Sequence, residues 1–161
     1  MGADLYIQSI RDKAEKEHRP EFDAAVKKRS TFERGTPEAD AAQVYVDAAF
    51  SKLFPEDGYF RDSYNATSVL RTWGLSWWVD VIPMLTDEGF LTVDGTRALL
   101  DRLRSRPRVF PTIEQIVEQF GRVDEKNTIE GWHEYFADKQ RRLIQFLEHA
   151  IELNEPIRCS L

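Results

Sequence analysis

The residues best suited to chemistry or recognition are concentrated in one stretch near the middle of the chain. Three of the four tryptophans, Trp73, Trp77 and Trp78, fall within six residues, directly after the aromatic and polar segment 59–65. Trp, Tyr and Arg combine a large apolar surface with polar tips and contribute strongly to binding energies. We therefore expect this stretch to be a core anchor or a binding surface. The candidate binding residues are Tyr59, Arg61, Asp62, Tyr64, Trp73, Trp77 and Asp80.

Four carboxylates near the turns that flank this stretch suggest a different function. They are Asp57, Asp62, Asp80 and Asp87. Two-carboxylate chemistry needs a pair of carboxyl groups at most roughly 6.5–9.5 Å apart. The alternative hypothesis is therefore a small carboxylate-dependent enzyme, with or without a metal ion.

Asp80 is the most unusual of these carboxylates. If the stretch from residue 73 to residue 84 is one regular helix, Trp73, Trp77 and Asp80 share a face. A carboxylate among indoles can accept hydrogen bonds or pair with an arginine such as Arg61 or Arg71. Its pKa can also rise, which would suit acid-base catalysis. We favour the structural roles over the catalytic one.

The motifs that usually identify a cofactor or a nucleophile are missing from the sequence. No Gly-x-Gly, Walker or Gly-x-Ser-x-Gly pattern occurs. His133 begins a zincin-like string, but Ala137 stands where the second histidine belongs. The single cysteine, Cys159, fits a small buried hydrophobe better than an activated thiolate. We expect no cofactor and no metal, and we lean against an enzyme.

The charge balance makes nucleic acid an unexpected partner. Twenty-eight acidic residues against twenty-two basic ones give a net charge of −6, whereas phosphate neutralisation needs clustered cations. The basic cluster comprises Arg102, Arg104, Arg106 and Arg108. Most of it falls at a predicted helix C-terminus, where cations complement the helix dipole. We favour that solvated-face interpretation over phosphate or RNA contact.

The composition indicates one folded domain. The chain has 161 residues, of which 42% are hydrophobic and 31% charged, an ordinary globular balance. Charges interrupt each apolar stretch, so no membrane span is expected. The first residues show neither a basic n-region nor a continuous apolar h-region. The single cysteine cannot form an intrachain disulfide, which is typical of proteins in a reducing compartment. We therefore expect a cytoplasmic protein.

Hydrophobic spacing predicts helices in the first third of the chain. Apolar residues recur at three- and four-residue steps from Ile10 to Val26. Pro20 should kink this helix or divide it into two. A second helix should begin with Thr36 as its cap and Pro37 in its first turn. We expect its inward stripe to be Ala41, Val44, Tyr45, Ala48, Ala49, Phe50 and Leu53.

Further helices and two short extended segments are expected in the rest of the chain. Residues 90–93 predict a short strand, and Asp94 or Thr96 should cap the helix that follows. After Thr112, a helix should turn Ile113, Ile116, Val117 and Phe120 inward. The clearest helix runs from about 128 to 153. Both termini alternate apolar and polar residues, which predicts a minor two-stranded ribbon.

These patterns predict a mainly α protein, a single domain over residues 1–161 with five to seven bundled helices. Its function is expected to be a noncatalytic binding or regulatory module for a protein or a small ligand. Besides the carboxylate enzyme, an inhibitory role such as that of a phage-encoded or toxin-neutralising protein is an alternative. An exposed tryptophan stripe could also form a symmetric homodimer.

Overall fold

The computed structural model describes residues 2–64, 67–120 and 128–160. Helices predominate in these ranges, which confirms the predicted mainly α class. The elements run in the order β1 (Gly2–Ile7), α1 (Gln8–Arg29), α2 (Pro37–Leu53), β2 (Tyr59–Ser63), β3 (Phe90–Leu91), α3 (Val93–Ser105), α4 (Ile113–Phe120), α5 (Ile129–Glu152) and β4 (Ile157–Ser160). Between β2 and β3 lie a 3₁₀ turn (Val69–Trp73), a π turn (Trp77–Val81) and a second 3₁₀ turn (Ile82–Met84).

The four strands form one antiparallel sheet in the order β2-β1-β4-β3. The predicted pairing of the termini is confirmed, because β1 and β4 are neighbours. The prediction of a separate two-stranded ribbon is wrong, since these are the two central strands of a larger sheet. Alternation explains why both bury one face: Leu5 and Ile7 of β1 are buried, as are Ile157 and Cys159 of β4.

The contacts divide the chain into two compact units. The sheet unit comprises Met1–Leu5 and Phe60–Leu161, and the hairpin unit comprises Tyr6–Tyr59. The chain therefore passes from the first unit to the second inside β1 and returns at the start of β2. The prediction of a single domain stays a prediction.

In the hairpin unit, α1 packs on α2. A single helix continues through Pro20, so the predicted division into two helices is wrong. Glu15 pairs with Arg11 and Arg19, one turn to either side, which supports the helix next to the proline. The start of α2 is as expected: Pro37 occupies the first turn, and Oγ1 of Thr36 accepts a hydrogen bond from the Ala39 amide at 3.2 Å.

The buried face of α2 differs from the predicted stripe. Its buried residues are Ala39, Ala42, Ala49 and Leu53. Val44 and Tyr45, which were expected inside, are exposed. The face that packs on α1 consists mainly of alanines, whose small side chains allow close helix packing. Of the predicted stripe, Ala49 and Leu53 are buried as expected, whereas Ala41, Ala48 and Phe50 are exposed like Val44 and Tyr45.

In the sheet unit, the last helix is confirmed and two details of the others are corrected. Thr128 caps α5, whose buried residues are Phe136, Gln140, Leu143, Phe146, Leu147 and Ala150. The cap of α3 is Thr92, not Asp94 or Thr96. In α4, Ile116 is buried, whereas Ile113 and Val117 are exposed. The Phe120 side chain lies outside the described part of the chain.

Candidate functional site

Asp62 is a buried carboxylate surrounded by donors. It points inward from β2, and its side chain is fully buried. Ser68 Oγ and Trp77 Nε1 each donate to Oδ2 at 2.7 Å, and the Val69 amide donates at 3.0 Å. Lys139 Nζ lies 3.3 Å from Oδ1 and compensates the charge. A buried charge is tolerated when it is paired and hydrogen-bonded. These partners therefore give Asp62 a structural role in the core.

The backbone from Trp73 to Met84 is not one regular helix. The 3₁₀ turn Val69–Trp73 ends at Gly74, whose φ of 65° is left-handed and suits glycine. An extended link follows before the π turn begins at Trp77. The condition of one regular helix over 73–84, under which Trp73, Trp77 and Asp80 would share a face, is therefore not met.

The tryptophans have different environments. Trp73 and Trp77 are buried, with 3% and 1% of their surface exposed, whereas 57% of Trp78 is exposed. The first two are core residues in this conformation. The Trp78 ring lies 5.3 Å from that of Tyr64, whose hydroxyl donates to the Ser160 carbonyl at 3.4 Å. Partial burial raises the pKa of the Tyr64 phenol.

The remaining aromatic and basic candidates lie in two different places. Arg61 is exposed on β2, with Nε 3.6 Å from Oδ1 of Asp4. Tyr59 belongs to the hairpin unit, where its ring lies 4.9 Å from that of Phe54 and 5.2 Å from that of Tyr6. Asn65, at the end of the segment singled out in the sequence, lies outside the described residues.

Asp80 is held by the start of its own turn and by α3. Its Oδ2 accepts from the Ser76 amide at 2.8 Å, and its Oδ1 accepts from Arg102 Nη2. An arginine was among the expected partners of Asp80, and the structure has one. The residues suggested were Arg61 and Arg71, whereas the partner is Arg102. The pairing leaves Asp80 with little uncompensated charge.

A cleft of about 910 Å³ opens beside Asp80 in the sheet unit. One wall comes from residues 68–80 and the other from residues 109–118, with Phe136 of α5 also in the lining. The lining residues are Ser68, Arg71, Thr72, Gly74, Leu75, Ser76, Val79, Asp80, Val109, Phe110, Pro111, Gln115, Ile116, Glu118 and Phe136. Of the seven candidates from the sequence, Asp80 alone is in this set.

Specific contacts hold the loop before α4 in position. The Val109 amide donates to the Thr72 carbonyl at 2.7 Å, which ties the loop to the 3₁₀ turn. The ring of Phe110 lies 5.1 Å from that of His133, and Nε2 of His133 is 3.3 Å from the Pro111 carbonyl. Contacts at three consecutive residues, through the backbone of Val109 and Pro111 and the side chain of Phe110, therefore hold the second wall in place.

The first wall is anchored from inside by a side-chain hydrogen bond. Gln140 of α5 is fully buried, and its Nε2 donates to Oγ1 of Thr72 at 2.6 Å. The Thr72 hydroxyl in turn donates to the Val69 carbonyl at 2.6 Å. These two hydrogen bonds connect the 3₁₀ turn of the first wall to α5 and anchor the wall there.

The charged residues in the cleft differ in their pairing. Asp80 is compensated by Arg102. Arg71 and Glu118 are both exposed and make no ion pair within the ranges that the structure describes. At the opening, Val79 is 75% exposed and Val109 is 64% exposed. Within the described ranges, the cleft therefore offers an apolar rim, a cation without an acidic partner and a carboxylate without a basic partner.

Few signals in the sequence point to the second wall. The one available signal is the apolar pair Val109 and Phe110 in a loop between Pro107 and Pro111. Apolar residues in a proline-bounded loop are unusual because loops generally run over the surface. The prediction came closer to the first wall. Besides Asp80, its lining residues Arg71 and Val79 lie next to the predicted aromatic residues in the sequence.

The described ranges contain no group of three or more His, Cys, Asp or Glu side chains placed to hold a metal ion. No helix there combines the length and apolar character needed to cross a bilayer. Burial raises the pKa of the Cys159 thiol to about 12, so this sulfur is not an activated nucleophile at neutral pH.

Comparisons with protein-family models, with curated proteins and with solved structures found no match to this chain.

Proposed function

We propose that this chain is a noncatalytic binding module whose ligand occupies the cleft of the sheet unit. The observation that carries the proposal is the cleft itself, with a volume of about 910 Å³. Ligand sites generally measure roughly 300–1,000 Å³ and combine an apolar lining with a few polar groups. This cleft has both properties.

Different residues of the lining supply the binding energy and the orientation of a ligand. Val79, Val109 and Phe110 supply apolar surface that a ligand can cover, and each fully buried side chain of this kind contributes roughly 1.5–3 kcal/mol. Arg71 and Glu118 supply the charged groups that fix the direction of a bound molecule. Their position on different walls makes the cleft chemically asymmetric.

The carboxylate enzyme is less well supported by the same geometry. Asp62 is fully buried, and both of its oxygens receive donors from the protein. Asp80 is paired with Arg102 and hydrogen-bonded to the Ser76 amide. A carboxylate engaged in this way has little capacity left to accept a proton or activate a water molecule.

We also propose a cytoplasmic location. The support is that the only cysteine, Cys159, is buried in β4 as a thiol. Extracellular domains of modest size more often use disulfides for stability.

The proposed site can be tested with 1-anilinonaphthalene-8-sulfonate, an apolar fluorescent anion. We expect saturable binding in isothermal titration, accompanied by a rise in dye fluorescence. V79W and V109W place large side chains in the opening and should each weaken the binding at least fivefold. V44W makes the same substitution at an exposed valine of α2 outside the cleft, and it should bind like the wild type.

Two results would count against the cleft. One is the absence of saturable dye binding to the folded protein. The other is a dye affinity that V44W lowers as much as V79W and V109W do. Circular dichroism of each variant verifies that the fold is retained.

A further inference from the structure

We infer that the natural ligand is a peptide segment of a protein partner, with an acidic side chain against Arg71 and apolar side chains in the cleft. This inference rests on the proposed function and specifies the class of ligand. It is argued from the pairing of charges in the cleft and from the apolar surface around its opening.

Arg71 is the residue that selects an anion. It lies on the 3₁₀ turn, its side chain is exposed, and it lines the cleft. Within the described ranges it has no acidic partner, whereas the nearby Arg102 is already paired with Asp80. A guanidinium presents several donors in a planar fork that matches a carboxylate. Arg71 is therefore the cationic group available to a ligand on the first wall.

The carboxylates of the cleft set the direction in which an acidic peptide can lie. Asp80 is compensated by Arg102 and contributes little repulsion. Glu118, on α4, has no cation paired with it in the described part of the chain. Because like charges repel, the ligand's acidic group should avoid the Glu118 wall and lie at the Arg71 wall.

Exposed apolar side chains at the opening favour a peptide over a small molecule. Val79 and Val109 are mostly exposed there. A small ligand enclosed by the cleft would leave these side chains in water. A chain that enters the cleft and continues past its opening can cover them, and exposed apolar residues commonly mark protein interaction sites.

The inference can be tested by selection from a random twelve-residue peptide library displayed on phage. The immobilised probe is the full chain, and V79W is used for counter-selection so that cleft-independent peptides are removed. We expect the enriched peptides to combine apolar residues with at least one acidic residue. Enrichment of basic or uncharged peptides would overturn the inference.

Selected peptides are then synthesised with a fluorophore and titrated with protein variants by fluorescence anisotropy. R71Q should raise the dissociation constant about tenfold. R97Q is the matched control, because Arg97 is an exposed arginine of the same unit that lies outside the cleft lining. It should change affinity less than twofold. An R71Q effect no larger than that of R97Q would contradict the assignment.

A double-mutant cycle locates the partner of Arg71 on the peptide. Changing the peptide's acidic residue to its amide should weaken binding to the wild type by a similar factor. The same change should have little further effect on R71Q, since the two groups are coupled. Independent, additive effects of the two changes would show that the acidic residue binds elsewhere.

Failure of the inference is distinguishable from failure of the proposed function. Dye binding that depends on Val79, without any enriched acidic peptide, refutes the peptide ligand and leaves a small-molecule site. Absence of both dye binding and peptide enrichment refutes both. Enrichment of acidic peptides that R71Q weakens and R97Q does not supports both.

Discussion

Trp77 donates its indole N–H to Oδ2 of Asp62 at 2.7 Å, and both residues are buried. This bond ties the start of the π turn to strand β2, fifteen residues earlier in the chain. It turns the Trp77 ring into the core and leaves its neighbour Trp78 exposed. Most of the first wall of the cleft, residues 68–76, lies in the chain between these two partners.

Removing the charge of Asp62 should strongly destabilise the protein. In D62N, Lys139 loses its carboxylate partner while its side chain remains largely buried. Breaking a buried ion pair typically costs about 3–5 kcal/mol. Urea denaturation should show a decrease in the free energy of unfolding near the lower end of this range. D94N is the control, because Asp94 is 93% exposed although it also pairs with an arginine. It should cost less than about 1 kcal/mol. Equal losses in the two variants would contradict a structural role for Asp62.

The neighbouring tryptophans offer a matched comparison. W77F removes the donor to a buried carboxylate and leaves a small cavity, so it should cost about 2–3 kcal/mol in the free energy of unfolding. W78F changes an exposed ring and should cost under about 0.5 kcal/mol. Guanidinium unfolding followed by circular dichroism measures both. A larger effect at Trp78 than at Trp77 would show that the two rings are assigned to the wrong environments.

Gln140 and Thr72 should respond unequally to substitution. Nε2 of Gln140 donates to Thr72, but its buried Oε1 has no partner within the described residues. Q140L removes this unsatisfied acceptor, so its net cost in stability should stay within about 1 kcal/mol. T72V leaves the Gln140 amide without its acceptor and should cost about 2 kcal/mol. Thermal unfolding of both variants tests this order of stabilities. A larger loss of stability in Q140L than in T72V would contradict it.

Cys159 should make stability fall at high pH. Burial raises the pKa of its thiol from 9.0 to about 12. Between these values the unfolded chain has lost the thiol proton and the folded chain keeps it. The unfolded state then binds fewer protons, so the free energy of unfolding decreases as pH rises from about 9 towards 12.

The C159A variant isolates this contribution from that of other groups that titrate in the same range. Between pH 8 and pH 10, the wild type should lose about 1 kcal/mol more stability than C159A does. Urea midpoints at the two pH values provide the comparison. Parallel losses in the two proteins would mean that the thiol is solvated in the folded state.

The sequence predicted those elements whose local signals agree with their surroundings. The Thr36 cap with Pro37 in the first turn, the long helix that Thr128 begins, and the alternating termini all follow from backbone and periodicity rules. Strand β2 escaped detection because its inward residues are Phe60 and Asp62. A buried carboxylate breaks the hydrophobic alternation by which a strand is recognised.

The cleft was largely invisible in the sequence for a different reason. Its two walls lie about thirty positions apart and meet because the Val109 amide bonds to the Thr72 carbonyl. No local pattern encodes that contact. The aromatic residues drew attention to the right stretch, but Trp73 and Trp77 build the support behind the wall and only Asp80 of the predicted set lines the cleft.

The central claim is that the cleft of the sheet unit binds a ligand, and methyl NMR tests it most directly. The protein is labelled at its valine and isoleucine methyls and titrated with 1-anilinonaphthalene-8-sulfonate. Saturable shifts are expected at Val79, Val109 and Ile116, which line the cleft, with none at the exposed Val26 and Val44. Shifts at Val26 and Val44 while Val79, Val109 and Ile116 stay unchanged would contradict the claim.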